Sequence, residues 1–374
     1  MHVPFYSSTR EYDSRKKEFD TAIRQVVERG DFILGSEVAA FEREAAEWLG
    51  VKYAVGMASG SDALVIASDI LGFGKGAEVL TPTFTFFAST SCVARLGGKP
   101  VLVDMDAATL NMDLHDASNK VTEHTKGIIP VHLFQQCTPM QGVTELARKN
   151  ELKILEDAAE AWGMKSLVDG AWRMAGTVGD IGIYSFFPTK TLGAYGDAGL
   201  AVTNDEDLYK LLKSYRVHGS SVKYQHDHIG YNSRLDTLQA AILRVKLKTI
   251  DKAIAARARH AQHYSDRLSG VPGLRIPRVS EENKGVNYVY NILCDERDAL
   301  SIYLKEREIG WSIYYPKPLH LQKCFEYLGY KEGDFPVAEA VAKEILALPI
   351  YPEITDDEVD YVCDAISAFC ARKR

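Results

Sequence analysis

The chain reads as an α/β protein. A large unit built on a mostly parallel, seven-stranded sheet covered by helices is followed by a smaller C-terminal α/β unit. Three observations predict this. Seven short apolar runs fall between about residues 50 and 205. Helical patterns separate several of them. The length, 374 residues, exceeds the roughly 250–300 at which a single hydrophobic core stops growing.

The runs are KYAVGMA (52–58), EVLTP (78–82), KPVLVDMD (99–106), KGIIPVHLF (126–134), LKILED (152–157), DIGIYSFF (180–187) and GLAVTN (199–204). Apolar strands alternating with crossover helices suit a parallel sheet buried on both faces. Helical stretches lie at 62–71, 87–96 and 142–150. From 233 to 268 a proline-free helical pattern forms a connector, which divides the chain into 1–247 and 248–374. The second part has a strand near 288–293, helices near 298–308 and 337–347, and a last helix from Asp356. YYPKPLH (314–320) is a proline-rich loop among them.

Composition is that of a soluble globular chain, 46% hydrophobic and 25% charged. The net charge of -7, with no basic block, speaks against nucleic acid or an anionic membrane as partner. The six cysteines form no CxxC pair and have no histidine at zinc spacing, which suits reduced thiols in the cytoplasm. The polar start of the sequence predicts no signal peptide, and no apolar run reaches the roughly 18 residues a membrane helix needs. The expected location is cytoplasmic.

Ligands of such sheets bind beyond the carboxyl ends of the strands. In DIGIYSFFPTKTLGAYGDAG, Lys190 follows a buried strand and a proline turn, within a glycine-rich loop. A Schiff-base lysine must be held partly desolvated so that its amine can be neutral and nucleophilic. On spacing alone a simply solvated loop lysine is the commoner outcome. Ser185, five residues earlier, is close enough to reach the phosphate of the same cofactor. Pyridoxal phosphate needs a carboxylate at its pyridine nitrogen. Asp157, ending the strand of ILEDAAEAWG, suits that role and equally suits a helix N-cap. Gly60 and Ser61 open a helix whose first N–H groups attract phosphate, although capping by Ser61 or Asp62 explains them as well. Phe86 could stack on a flat ring, with a core position as the default. His226 and His228 lack a third ligand at metal spacing, and no metal is expected.

Together these segments are specific. SGSDAL, TPTFTFFAS, PVHLF, EDAAEAWG, YSFFPTKTLGAYGDAG, HGSSVKYQHDHIGYNSRLDTLQAAILRVKL and YYPKPLH occur in the order seen in the DegT/DnrJ sugar aminotransferases. The chain resembles that family from about residue 30 to about 350. The resemblance implies a fold-type-I pyridoxal 5'-phosphate enzyme. Lys190 matches the Schiff-base lysine and proton carrier, and Asp157 the partner of the pyridine nitrogen. Gly60, Ser61 and Ser185 match the phosphate cradle, and Phe86 the aromatic stacked on the ring. Asn232 matches an asparagine that reaches the cofactor phosphate of a neighbouring subunit, implying a homodimer with shared active sites. Tyr224, His226, Arg234, Tyr315 and His320 lie in segments that face the nucleotide sugar. The implied reaction moves an amino group from an amino acid, L-glutamate by the family pattern, to a nucleotide-linked keto sugar. The GYNSRLDTLQAAIL stretch resembles members that aminate carbon 3. Such products serve deoxyamino sugar and polysaccharide or lipopolysaccharide biosynthesis.

Departures from the family pattern carry their own expectations. Glu160 stands where the family usually has Gln, beside the cofactor's phenolic oxygen. A carboxylate beside a phenolate is a like-charge pair, so one of the two should hold a proton and the cofactor's spectral titration should be shifted. Trp162 replaces a common His, Gln135 a common Gly and Ala198 a common Gly, and all three are expected to reshape the pocket. Rival readings are a dehydratase or cyclitol aminotransferase on the same scaffold, and a regulatory protein with a dead site. Dehydratase relatives carry His in place of the lysine, whereas this chain has Lys190.

Overall fold

The seven apolar runs become strands because each is buried against helices on both sides. The computed structural model describes residues 1–372. Two helices come first, α1 (Ser8–Arg29) and α2 (Ser36–Leu49). The sheet region then runs β1 (Tyr53–Met57), α3 (Gly60–Ile70), β2 (Glu78–Pro82), α4 (Ala88–Arg95), β3 (Lys99–Val103), β4 (Thr125–Ile128) and β5 (Lys153–Asp157). After it come a hairpin, β6 (Lys165–Val168) and β7 (Ala171–Met174), then β8 (Ile181–Ser185) and β9 (Gly199–Thr203).

The main sheet has seven strands in the order β1-β9-β8-β5-β4-β2-β3. Only β9 runs against the others, pairing antiparallel with both β1 and β8. Side chains alternate across it with the period of two that a strand imposes. Ile181 and Ile183 of β8 join one apolar cluster with Leu64 and Ala67 of α3. Tyr184 of the same strand joins the opposite cluster, with Phe41 and Leu49 of α2. The carboxyl ends of β1, β8, β5, β4 and β2 therefore open at one edge of the sheet, where the loops bearing Gly60, Ser185, Asp157, His132 and Phe86 begin.

The smaller unit is a three-stranded antiparallel sheet of Leu274–Arg275, Tyr290–Cys294 and Ile345–Leu348. Helices Ile250–Leu268, Arg297–Lys305, Pro336–Glu344 and Asp356–Ala371 accompany it. Its core joins Tyr264, Ile292, Leu300, Leu346, Val362 and Ile366 to Val3 from the N-terminus. Val3 pairs with Ile309. From this packing we propose that the chain divides near residue 248, with the first few residues belonging to the C-terminal unit.

Two expectations are corrected. The pattern over 233–268 is two helices, Thr237–Leu247 and Ile250–Leu268. Thr249 breaks them at φ -124°, ψ 11°. No proline or glycine is needed, because the two halves serve different cores. Ala240 and Leu243 pack under the main sheet, whereas Ala261, Tyr264 and Leu268 pack in the C-terminal cluster. The helix expected over 337–347 stops at Glu344, and Ile345–Leu348 pairs antiparallel with Tyr290–Cys294. All four residues of ILAL are buried, and an unbroken apolar run looks the same in a buried helix and a buried strand. The hairpin β6–β7 and its third strand Asn283–Lys284 were absent from the expected elements.

Candidate active site

A cavity of about 540 Å³ lies at this edge of the sheet. Gly60, Ser61, Phe86, Asp157, Glu160, Ser185, Lys190 and Tyr315 all line it, so eight of the residues singled out from sequence are brought together.

Lys190 stands in a tight turn after β8, its N–H bonded to Phe187 O at 2.9 Å. Its side chain retains 15% exposure. Nζ lies 3.2 Å from Glu160 Oε1 and 4.3 Å from the centre of the Tyr288 ring. Burial alone would lower the amine's pKa, but Glu160 and Tyr288, with Asp157 behind them, outweigh it and hold the amine above the ordinary lysine range. Glu160 is fixed from the other side, Oε2 accepting the Phe134 N–H at 3.0 Å.

Asp157 is the last residue of β5 and is 3% exposed. The strand's alternation turns Glu156 the other way, where it accepts the N–H groups of Gly176, Val178 and Gly179. Asp157 Oδ2 accepts from Ser89 Oγ at 2.7 Å, and Oδ1 accepts the Ala159 N–H at 3.1 Å. No helix starts here, so the carboxylate is not an N-cap. Burial pushes it above the ordinary aspartate range, against the pull of Ser89, Ala159 and Lys190.

The helix cap of α3 is Ser59, whose side chain accepts the Asp62 N–H at 3.0 Å; neither Ser61 nor Asp62 fills that role. The Ser61 side chain is thereby left to the cavity wall. Gly60 has no room for a side chain, since a Cβ would lie 2.7 Å from Ser185 Cβ. A Cβ on Gly199 would meet the Ser59 carbonyl at 2.4 Å. These two glycines let β9, the start of α3 and the end of β8 close into one cradle. Phe86 is 57% exposed and leans on Tyr315, at 6.3 Å between ring centres, so it is a wall of the cavity and not core.

Five expected residues lie outside the cavity lining. Tyr224 is 83% exposed on a short hairpin, with φ +67°. His226 contacts the His218 carbonyl at 2.9 Å on the same hairpin. Asn232 is exposed and Arg234 half-buried. His320 is buried, with Nδ1 at 3.0 Å from Thr83 Oγ1 and Nε2 at 2.9 Å from Glu339 Oε1, so both ring nitrogens are already engaged. The departures expected to reshape the pocket do not reach it either. Trp162 is core, stacked on Trp48 at 5.0 Å and 13°; Ala198 is core, and Gln135 is buried away from the cavity. The chain turns after β5, so that Glu160 lines the cavity while Trp162 packs in the cluster with Phe41, Tyr184 and Phe186.

Tyr288, Tyr314, Ser89 and His132 line the cavity without having been singled out. Ser89 carried a faint signal, one helical turn after Thr85, with which it shares a 3.1 Å hydrogen bond. Tyr288 carried none, because it arrives from the C-terminal part of the chain. Among the described residues, no group of three or more His, Cys, Asp or Glu side chains could hold a metal ion. No described helix is long and apolar enough to cross a membrane.

Comparison with known proteins agrees with this geometry. A protein of Geobacillus stearothermophilus described as a pleiotropic regulatory protein is 43% identical, over 99% of each chain. A UDP-N-acetyl-3-dehydro-alpha-D-glucosamine 3-aminotransferase of Acidithiobacillus ferrooxidans is 38% identical, over 97% of each. The crystal structure of S. venezuelae DesV in complex with a ketimine intermediate superposes with a TM-score of 0.96, at 35% identity and 99% coverage of both chains. The fold is that of the pyridoxal-phosphate aminotransferases. The cofactor is pyridoxal 5'-phosphate, and the residues present fit it. The Gly60 and Gly199 cradle has the close backbone approach a phosphate needs, a buried carboxylate ends β5, and one amine lies in the same cavity. The model of the DegT/DnrJ/EryC1/StrS aminotransferase family matches residues 13–367, and this chain belongs to that family.

Proposed function

We propose that the chain transfers an amino group from an amino acid, L-glutamate in our reading, to the carbon-3 ketone of a UDP- or dTDP-linked sugar. The single observation that carries this is the convergence of Lys190, Asp157 and the Gly60–Ser185 cradle on one cavity. Carbon 3 is supported by relatives named for amination at that position, acting on UDP and dTDP sugars.

Pyridoxal phosphate supplies, when bound, an electron sink for the carbon that loses or gains its proton. The rest falls to the protein. Ser61, Ser185 and the first N–H groups of α3 would hold the phosphate. Asp157, kept in place by Ser89 and Ala159, would hold a proton on the pyridine nitrogen. Phe86 would cover one ring face. Lys190 would carry the substrate proton as base and then as acid, with Glu160 at its amine. Asn232, exposed shortly before the helix Thr237–Leu247, is proposed to reach the site of a second copy, giving a homodimer with shared active sites in the cytoplasm. Tyr224, His226 and Arg234 are proposed to meet the nucleotide sugar from the same exposed region. An amino sugar for polysaccharide or lipopolysaccharide assembly is the proposed product.

The regulatory name of one relative invites a second reading, a protein with a dead site. The paired Lys190 and Glu160 and the buried Asp157 favour an enzyme. The test is spectroscopic. Purified protein should absorb as a bound cofactor, bleach on addition of glutamate and recover on addition of a keto sugar. Borohydride should fix the cofactor on the peptide containing Lys190, and NMR of the product should place the new amine on carbon 3. A colourless protein that cannot be reconstituted supports the dead-site reading, and an adduct elsewhere removes the proposed mechanism.

A further inference from the structure

A second cavity, of about 190 Å³, also touches Lys190 but belongs to a different part of the fold. Its walls come from Thr191, from Glu11 and Arg15 of α1, from Lys246 and Arg257 of the paired helices, and from Glu353. Most of these charges are already matched. Lys246 pairs with Glu11 at 2.7 Å, and Arg15 pairs with Glu18 at 2.9 Å.

Arg257 is different. It is 2% exposed, and Nη1 donates to three main-chain carbonyls, those of Asn287 (3.3 Å), Tyr288 (3.1 Å) and Ile350 (2.8 Å). Among the described residues it makes no ion pair with a carboxylate, and its Nε has no hydrogen-bond partner. The Thr191 hydroxyl on the same cavity is likewise buried without a partner. Burial pulls the Arg257 pKa below the ordinary arginine range, outweighing Glu353 and Glu11, which act on the guanidinium through space without an ion-pair contact among the described residues. A desolvated cation without an anion is costly. A guanidinium fork is also the donor geometry that fits carboxylate or phosphate oxygens.

We propose that this cavity is a second ligand site, which takes a small oxyanion, a carboxylate or a phosphate, between Arg257 and Thr191. Its volume is too small for a nucleotide sugar, and apart from Lys190 its lining shares no residue with the substrate cavity. Its occupant would rest against the turn that carries Lys190, and so would stiffen that turn from behind.

The experiment uses the holoenzyme, in which the cofactor's own phosphate group would occupy the Gly60 cradle. Inorganic phosphate, acetate and succinate are titrated at constant ionic strength against a chloride control, following the melting temperature and the heat of binding. Saturable stabilisation is expected with at least one of them, and the preferred anion identifies the source. Thr191→Val should weaken that anion's affinity about fivefold or more. Arg257→Gln should abolish binding while the cofactor absorption band is retained. If Arg257→Gln does not fold, Thr191→Val and Arg257→Lys decide the matter, since both keep volume or charge. No saturable response beyond chloride overturns the proposal, because the cavity then holds only water. Binding that is undisturbed in Thr191→Val and in whichever Arg257 variant folds overturns it as well.

Discussion

The Lys190 amine and the Glu160 carboxylate stand 3.2 Å apart, with the second carboxylate oxygen held by the Phe134 N–H. The pair keeps the amine above the ordinary lysine range although burial pulls the other way. A lysine that must attack or accept a proton has to lose its own first. Glu160→Gln removes the charge that opposes this loss. In cofactor-free protein it should lower the pH at which Lys190 becomes reactive by about 1–3 pH units. Reductive methylation across a pH series, with mass-spectrometric mapping of Lys190, measures this. The sign for stability follows from the raised value. The pair's contribution is complete below the ordinary lysine range and is lost as pH rises through the raised folded value. Wild type should therefore lose stability at alkaline pH where Glu160→Gln has none of this contribution left to lose. In holoenzyme the same substitution should shift the cofactor's spectral midpoint; an unmoved midpoint removes Glu160 from the phenolic oxygen.

Tyr288 presents its ring to the same amine at 4.3 Å and shares a 3.1 Å hydrogen bond between its hydroxyl and Thr189 Oγ1. The ring and the hydroxyl can be separated. Tyr288→Phe keeps the cation over an aromatic face and should leave kcat within about threefold. Tyr288→Ala loses the face, worth about 1 kcal/mol, and should lower kcat about five- to tenfold. A steady-state comparison of the two variants, with the KM for the amino donor, checks this. Equal losses would mean that the hydroxyl, not the ring, positions Lys190.

Asp157 is a buried carboxylate raised above its ordinary value by desolvation. The folded state therefore holds its proton to higher pH than the unfolded chain does, and stability contributed by this group falls as pH rises between the two values. Asp157→Asn removes the charge and can keep the Ala159 N–H bond on its carbonyl oxygen, while its amide N–H donates to Ser89 Oγ. Cofactor-free Asp157→Asn should melt higher than wild type at pH 7–8, with the advantage shrinking toward pH 4. Turnover should fall by roughly 10² or more, since the pyridine nitrogen loses its carboxylate. Melting curves and a coupled assay test the two halves independently.

What the sequence made legible follows the distance over which each signal acts. Asp157, Ser185 and Lys190 sit at or just beyond strand ends, and strand ends are marked locally by where an apolar run stops. The three runs EVLTP, LKILED and GLAVTN therefore located β2, β5 and β9 to within a residue or two. Tyr288 lies in an apolar stretch indistinguishable from core, and only the packing of the C-terminal unit on the sheet brings it to Lys190. The break at Thr249 was illegible for a related reason: no residue there opposes a helix, and two separate cores impose it. His320 misled in the opposite sense. Its motif is in the expected place, but Thr83 and Glu339 occupy both of its nitrogens.

Gly60 gives a test of the cradle that leaves the acid–base groups untouched. It is the first residue of α3 and its φ lies outside the left-handed region, so alanine meets no left-handed backbone strain there. The obstacle is space, because the added methyl would lie 2.7 Å from Ser185 Cβ and 3.1 Å from Ser185 Cα. Either α3 or the end of β8 must move, and both would carry cradle groups with them. Gly60→Ala should weaken cofactor affinity at least tenfold, a loss of about 1.4 kcal/mol, read from absorbance titration of apoenzyme. Saturating cofactor should restore much of the rate. Unchanged affinity would place the phosphate elsewhere.

Trp162 separates packing from chemistry. It is 3% exposed, stacked on Trp48 and edge-on to Tyr184 and Phe186, at 5.1 and 5.5 Å between ring centres. Among the described residues its indole N–H has no partner, so the residue holds its place by area and shape. Trp162→Ala should therefore cost about 3–5 kcal/mol of stability. Trp162→His, which restores the residue common in the family, should also destabilise, because an imidazole fills less of the space and leaves two nitrogens to satisfy among apolar neighbours. Trp162→Phe keeps an aromatic ring and gives up no hydrogen bond, so it should be the mildest of the three. Because the side chain lies under the sheet and not in the cavity, KM for the keto sugar should stay within about twofold in every variant that folds. Denaturant melts set beside KM for the three proteins make the comparison. A large change in KM with little change in stability would put position 162 back in the substrate pocket.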